Sequence, residues 1–183
     1  WNGLSWVQMG NTIDGDSLSH KILNSFSSDG SRFSISMRER IRVYEWNGSL
    51  WNQVGNDIQI SQNSSNHYPS SSLNSDGTII AVGDSENDEN GNNTGQIQLF
   101  EWNGLSWVQI GNNINGEYGE HIGDNLILNA NGSKIAFSDM GSDLDGNIQG
   151  HVQLYGWNGS VWDQIGDNID GEGPDDRASS VSL

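Results

Sequence analysis

Two stretches of this chain place oxygen-bearing side chains at a spacing that could hold a cation. Asp84 followed by Asp88-Glu89-Asn90-Gly91-Asn92, and Asp139 followed by Asp143-Leu144-Asp145-Gly146-Asn147, align without a gap at an offset of 55 residues. Carboxylate and amide oxygens at every second position around a glycine suit a hard ion such as calcium. The candidate ligands are Asp84, Asp88, Asn90, Asn92, Asp139, Asp143, Asp145 and Asn147. The bidentate acid that closes an EF-hand loop is missing, so the same residues also read as a solvated acidic hairpin with Asx-turns. At the equivalent place earlier in the chain stands Met37-Arg38-Glu39-Arg40-Ile41-Arg42, which with Arg32 holds four of the seven basic residues. That cluster could dock acidic loops of a neighbouring copy or blade, or could simply balance its own hairpin.

Other reactive types offer less. His20, His67 and His121 precede apolar runs at similar distances and His151 stands apart; they read as loop residues with local partners, the alternative being a shared zinc site. No Ser-His-Asp spacing, nucleophile elbow, phosphate-binding glycine loop or HExxH pattern occurs, so catalysis is not expected. Five Asn-x-Ser/Thr sequons, at Asn47, Asn63, Asn92, Asn131 and Asn158, would carry glycans on exposed turns in a secreted eukaryotic chain.

The elements that must position these groups come from a repeat. Trp1-Asn2-Gly3…Trp6, Trp46-Asn47-Gly48…Trp51, Trp102-Asn103-Gly104…Trp107 and Trp157-Asn158-Gly159…Trp162 use all eight tryptophans. Leading tryptophans at 1, 46, 102 and 157 give spacings of 45, 56 and 55 residues, an internal repeat with one shortened copy. Each Asn-Gly reads as the turn of a β-hairpin, because these residues adopt positive φ most cheaply. Within a period four short apolar runs, a to d, are bounded by Gly, Asn, Asp and Ser, the pattern of an all-β array. Run a is Ile22–Phe26, Ser70–Leu73, Asn125–Leu128 and Ser179–Leu183, and an orphan run d, Ser5–Met9, opens the chain.

Run c decides the architecture. Ile97 and Leu99 point to one face while Phe100 and Trp102 point to the other, and Val152, Leu154, Tyr155 and Trp157 repeat this. Both faces are apolar, so each sheet must be covered on both sides. Four-stranded sheets stacked face to face around an axis meet that demand, which predicts a β-propeller of about three and a half blades, ahead of a linear β-solenoid. Two buried tryptophans per repeat would remove about 400 Å² from water, on the order of 10 kcal/mol gross. They read as packing groups, with an exposed aromatic platform for sugar rings as the alternative.

Composition narrows the function classes. With 24 acidic and 7 basic side chains the formal charge is −17, which repels nucleic acid and anionic membranes. There is no cysteine, hence no disulfide framework. No apolar run approaches the roughly 20 residues of a membrane-spanning helix. The predicted segments are the last strand of a preceding blade with its linker (1–19), three blades (20–55, 68–111 and 122–166) and the first strand of a following blade (178–183), a piece of a longer polypeptide.

The text Ser75-Asp76-Gly77-Thr78-Ile79-Ile80-Ala81-Val82-Gly83, followed by Gln96-Ile97-Gln98-Leu99-Phe100-Glu101-Trp102, resembles the tandem propeller repeats of secreted and cell-surface proteins, loosely similar to the FG-GAP repeats of integrin α-subunits. The resemblance implies an extracellular structural or adhesion module whose partners are the rest of a longer propeller, neighbouring copies, glycans or cell-surface proteins. A carbohydrate-binding propeller is the runner-up, and a hydrolytic propeller would need carboxylates converging on its central channel.

Overall fold

Polar turns set the limits of every strand. In the computed structural model, which describes residues 3–14, 24–60, 68–92, 94–139, 150–173 and 180–183, the first repeat forms β1 (Asn24–Phe26), β2 (Arg32–Met37), β3 (Arg40–Trp46), β4 (Trp51–Gln53) and β5 (Ile58–Gln59). The second forms β6 (Ser70–Leu73), β7 (Ile79–Asp84), β8 (Gln96–Trp102), β9 (Trp107–Gln109) and β10 (Ile114–Asn115). The third forms β11 (Asn125–Leu128), β12 (Lys134–Ser138), β13 (His151–Trp157), β14 (Trp162–Gln164) and β15 (Ile169–Asp170). Each repeat is one antiparallel sheet in the order a-b-c-d, as predicted. No helix occurs among the described residues, hence none long and apolar enough to cross a membrane.

The inner turns are built by one acidic or amide side chain each. Asp29 Oδ1 accepts from the Ser31 amide and the Ser27 hydroxyl, Asp76 Oδ1 from the Thr78 amide and hydroxyl, and Asn131 Oδ1 from the Ser133 amide and hydroxyl. These bonds favour the ionised form and hold the Asp29 carboxyl down at about 2. The outer hairpins differ in detail from the expected two-residue turn. Trp102 pairs directly with Trp107, so four residues form the loop, and only Gly104 takes a positive φ. Asn103 serves instead as an acceptor: its Oδ1 takes the amides of Leu105 and Ser106 at 2.9 Å. Asn47 and Asn158 do the same in their hairpins.

Two packed apolar faces are seen on the second sheet, and they position the three sheets as successive propeller blades. Ala81, Ile97 and Leu99 of the second sheet form one core with Leu128, Ile135 and Phe137 of the third. On the opposite face Leu73, Ile80 and Val82, with Phe100 and Trp102, join Ile41 and Val43 of the first. The innermost strands are stitched by hydroxyls as well. The Leu73 amide donates to Ser25 Oγ and the Leu128 amide to Ser72 Oγ, while the Ser28 amide donates to Ser75 O and the Ser75 amide to Ala130 O.

The outer rim is locked by the tryptophans. In each of the three described hairpins the two indoles lie 5.2–5.5 Å apart and tilted, and the preceding repeat closes over them. Trp107 Nε1 donates to Val54 O at 3.0 Å and Trp162 Nε1 to Ile110 O at 3.2 Å. Gly55 lies against Trp102 and Trp107, and Gly111 against Trp157 and Trp162, so near that an added Cβ would stand 2.5 Å from a ring carbon. Asn112 Oδ1 then accepts from the Trp162 amide.

This excursion corrects the predicted blade limits. The fourth strand is in two pieces along one edge of strand c, β9 with β10 on β8 and likewise β4 with β5 and β14 with β15, because the residues between them leave the ladder to reach the next tryptophan pair. Each blade therefore runs four residues past the expected ends at 55, 111 and 166.

The orphan strands are corrected too. Ser5–Met9 pairs with no strand, and Trp6 is exposed, although Gly10 and Asn11 seat on Trp46 and Trp51 just as Gly111 and Asn112 do on theirs. Residues 180–183 form no strand either, and Ser179 lies outside the described residues.

The rim contact predicts a difference between two glycines of similar backbone. Gly104 (φ 91) has open space where a Cβ would go, whereas Gly111 (φ 74) has Trp157. Gly104→Ala should cost about 1 kcal/mol from backbone conformation alone, and Gly111→Ala about 1–3 kcal/mol more from the clash. Urea unfolding measures both, and equal losses would show that the rim contact contributes nothing.

Candidate functional site

The group of side chains best placed for chemistry lies between the second and third blades. Asp139 follows β12 directly and is paired by its amide to His151 O at 3.1 Å, at the start of β13. Glu120 comes from the loop after β10. That loop is fastened to the second blade, where the Ile122 amide donates to Thr94 O, the Gly116 amide donates to Gly95 O, and Ile122 bridges Gly95. Buried Ile122 anchors it in the core shared by the two blades, and His121 turns the chain with a positive φ of 53°.

The Glu120 carboxylate is oriented by its own loop. Oε2 accepts from the Glu117 amide at 2.6 Å, and Oε1 faces His151 Nε2 at 3.4 Å. Asp139 Oδ2 lies 2.8 Å from the same nitrogen, and the Gln153 amide 2.7 Å from it. His151 is flanked by two carboxylates, and first Asp139, then Glu120, push its pKa up to about 10 against the opposing effect of burial. For Glu120 burial raises the pKa, but the bond to His151 and the Glu117 amide outweigh it and the net shift is downward. Burial, then the Glu120 charge, raises the Tyr155 phenol nearby.

Glu120 was not legible as a site residue. Its loop carries no motif, and its partner contacts are tertiary. His151 had a signal, because it stands 55 residues after Gln96 just as Asp139 stands 55 after Asp84. Asp84 and Gln96 are paired in β7 and β8, and Gln96 bonds Asn115 and Glu89.

The proposed calcium ligands are dispersed in burial. Asp84 is buried, while Asp88, Asn90 and Asn92 are exposed. Their loop is organised by fully buried Asn87, whose Oδ1 takes the Glu89 amide and whose carbonyl takes the Thr94 hydroxyl and the Gly95 amide. Asp143, Asp145 and Asn147 lie outside the described residues, as do His20, His67, Trp1 and Asn63. Asn47, Asn92, Asn131 and Asn158 are exposed, with the side-chain oxygens of Asn47, Asn131 and Asn158 committed to their turns.

The basic cluster meets carboxylates of its own repeat. Arg42 holds Asp57 through two bonds of 2.8 and 3.2 Å, Arg40 approaches the same carboxylate at 3.6 Å, and Arg38 approaches Glu39 at 3.4 Å. Arg32 binds Glu45 and, across to the second blade, Gly77 O. A pocket of about 220 Å³ opens along the innermost strands between β6 and β11, lined by Ser70, Ser71, Asn125, Leu126, Ser180, Val181 and one carboxylate, Asp124.

No protein-family model and no curated protein matches the chain. Among solved structures it is similar to a Bacteroides fragilis protein provisionally named a 6-phosphogluconolactonase, with a TM-score of 0.58 and 12% identity over 90% of this chain and 42% of that one. A protein from Agrobacterium tumefaciens provisionally named TolB gives a TM-score of 0.47 and 16% identity over 84% of this chain and 51% of that one. At such identity the first likeness shows the fold alone, a β-propeller-like array, and the chain spans under half of that protein's length.

The Arg42–Asp57 pair predicts a pH dependence. The Arg42 hydrogen bond, chiefly, and those of Gln53 and the nearby arginine charges hold the Asp57 carboxyl below its ordinary value, against burial. Its folded pKa lies below the unfolded one, so its stabilisation is complete above about pH 4 and is lost as pH falls through the folded value. Asp57→Asn should cost about 1–2 kcal/mol at pH 7 and progressively less as pH is lowered below about 4, compared by urea unfolding across that range.

Proposed function

We propose that this chain is a non-enzymatic structural and interaction module, a scaffold or adhesion segment of a longer propeller protein working outside the cell or at its surface. The observation that carries the reading is a repeated apolar tip. Each of the three Trp-Asn-Gly hairpins among the described residues holds out one aliphatic side chain at its turn, Leu50 48% exposed, Leu105 83% and Val161 38%, and Leu4 of the first copy is 88% exposed. A single exposed leucine is ordinary, but one on every hairpin of a chain with a charge of −17 is a regular array of contact points.

Several features support this over the alternatives. The inner-strand pocket has one carboxylate, where hydrolysis at that place would call for a converging pair. The paired tryptophans are wedged against each other and covered by glycine from the preceding repeat, which leaves little free ring face for a sugar. The likeness of the repeat text to FG-GAP repeats favours an extracellular setting, where the exposed sequons would be glycosylated.

The test uses labelled chain on intact cells of its source. The triple variant Leu50→Ser, Leu105→Ser, Val161→Ser should bind about fivefold or more weakly while its melting temperature stays within a few degrees. A glycan array and a hydrolase substrate panel should both stay blank. Undiminished binding by the variant, repeat-matched glycan binding or turnover would each overturn the reading.

A further inference from the structure

We propose that Glu120, Asp139 and His151, with Gln153, form a site for one divalent transition-metal ion of the zinc type, clamped between the second and third blades. One ligand atom from each of Glu120, Asp139 and His151 lies within 4.8 Å of the other two, and among the described residues this is the one group of three such side chains. Ligands about 2.0–2.1 Å from a common centre at the tetrahedral angle stand about 3.3 Å apart. The separations from Nε2, 2.8 Å to Asp139 and 3.4 Å to Glu120, bracket that value.

A proton does not satisfy this arrangement. Nε2 carries at most one hydrogen, in the ring plane, yet it faces two carboxylate oxygens and an amide. Asp139 Oδ2 accepts no hydrogen bond despite its short distance to Nε2, and the Asp139 side chain is 0% exposed. A buried carboxylate oxygen that meets the imidazole nitrogen at 2.8 Å without hydrogen-bond geometry is costly, and its place is suited to a cation shared with that nitrogen. The other oxygens are already employed, Glu120 Oε2 by the Glu117 amide and Asp139 Oδ1 by the His151 amide at 3.4 Å. Each carboxylate thus has one oxygen left, and both face the imidazole.

The donor chemistry selects the ion. An imidazole nitrogen with carboxylate oxygens suits zinc and its neighbours, whereas calcium asks for six to eight oxygens. Gln153 supplies a fourth donor, since its amide oxygen and nitrogen exchange places by a simple flip. The blades are not equivalent here. The second has Asp84 and Gln96 in these register positions and the first has Met37 and Arg40, so one ion per chain is expected rather than one per repeat. The ion would tie the inter-blade loop at Glu120 to the third blade.

Calorimetric titration of the chelator-treated chain with zinc tests this. The expected result is one equivalent bound, with a rise in melting temperature of about 5 °C or more at zinc 100-fold above Kd, and a visible ligand-field spectrum when cobalt replaces zinc. Glu120→Gln and His151→Gln should each weaken binding at least tenfold, and Asp167→Asn, at an exposed turn, should leave it unchanged. Asp139→Asn should also abolish binding; should that variant fail to fold by circular dichroism, the other two decide. Absence of zinc binding in the parent chain, equal binding by Glu120→Gln and His151→Gln, or a larger thermal shift from calcium than from zinc would overturn the site.

Discussion

The indole pair of each outer hairpin is the contact on which the rest of the molecule depends. A sheet with two apolar faces has no stable existence in water by itself, and the chain has only 33% hydrophobic residues from which to build a core. The tryptophans concentrate that scarce apolar area at the rim, and their ring nitrogens reach back to the carbonyls of Val54 and Ile110 in the preceding repeat. Indole therefore contributes area and direction together, which no aliphatic side chain could do. The neighbouring glycine is the other half of the contact, since any side chain there would occupy the place of the ring.

Toward the centre the same stacking is held by small polar groups. Serine hydroxyls on the innermost strands accept amides from the adjacent blade, and Ser70 Oγ donates to Gly123 O. Gly83 meets Gly123 so closely that the two backbones are in contact. The blade is thus wedge-shaped for a chemical reason: serine and glycine allow close approach at the axis, and paired tryptophans hold the sheets apart at the rim. Many of the acidic residues occupy turns, where as in Asp29 and Asp76 they bind backbone amides. The surplus negative charge is therefore partly structural.

Much of this was legible before any coordinates. Ile97 and Leu99 on one face, with Phe100 and Trp102 on the other, required cover on both sides, and the cores formed with Phe137 and with Val43 supply it. What escaped was too short or too distant for a pattern. Ile58–Gln59 and Ile114–Asn115 are two residues each, below the length at which alternation can be seen. Asn103 was expected to bend the backbone and instead accepts hydrogen bonds. Ser5–Met9 had the right pattern and forms no strand among the described residues. Glu120 reaches His151 through a loop laid across another blade, and no local spacing encodes that.

The split outer strand has a further consequence for how such arrays coexist in solution. An uninterrupted sheet border offers a row of free amide and carbonyl groups on which a second molecule can grow its own strand, the first step toward fibrils. Here that border is three residues, a departure, then two residues, and the departing stretch is occupied with the adjacent blade. The fastening that holds one blade to the next also shortens the template, so a chain made of repeated β-sheet presents no long continuous border along these outer strands.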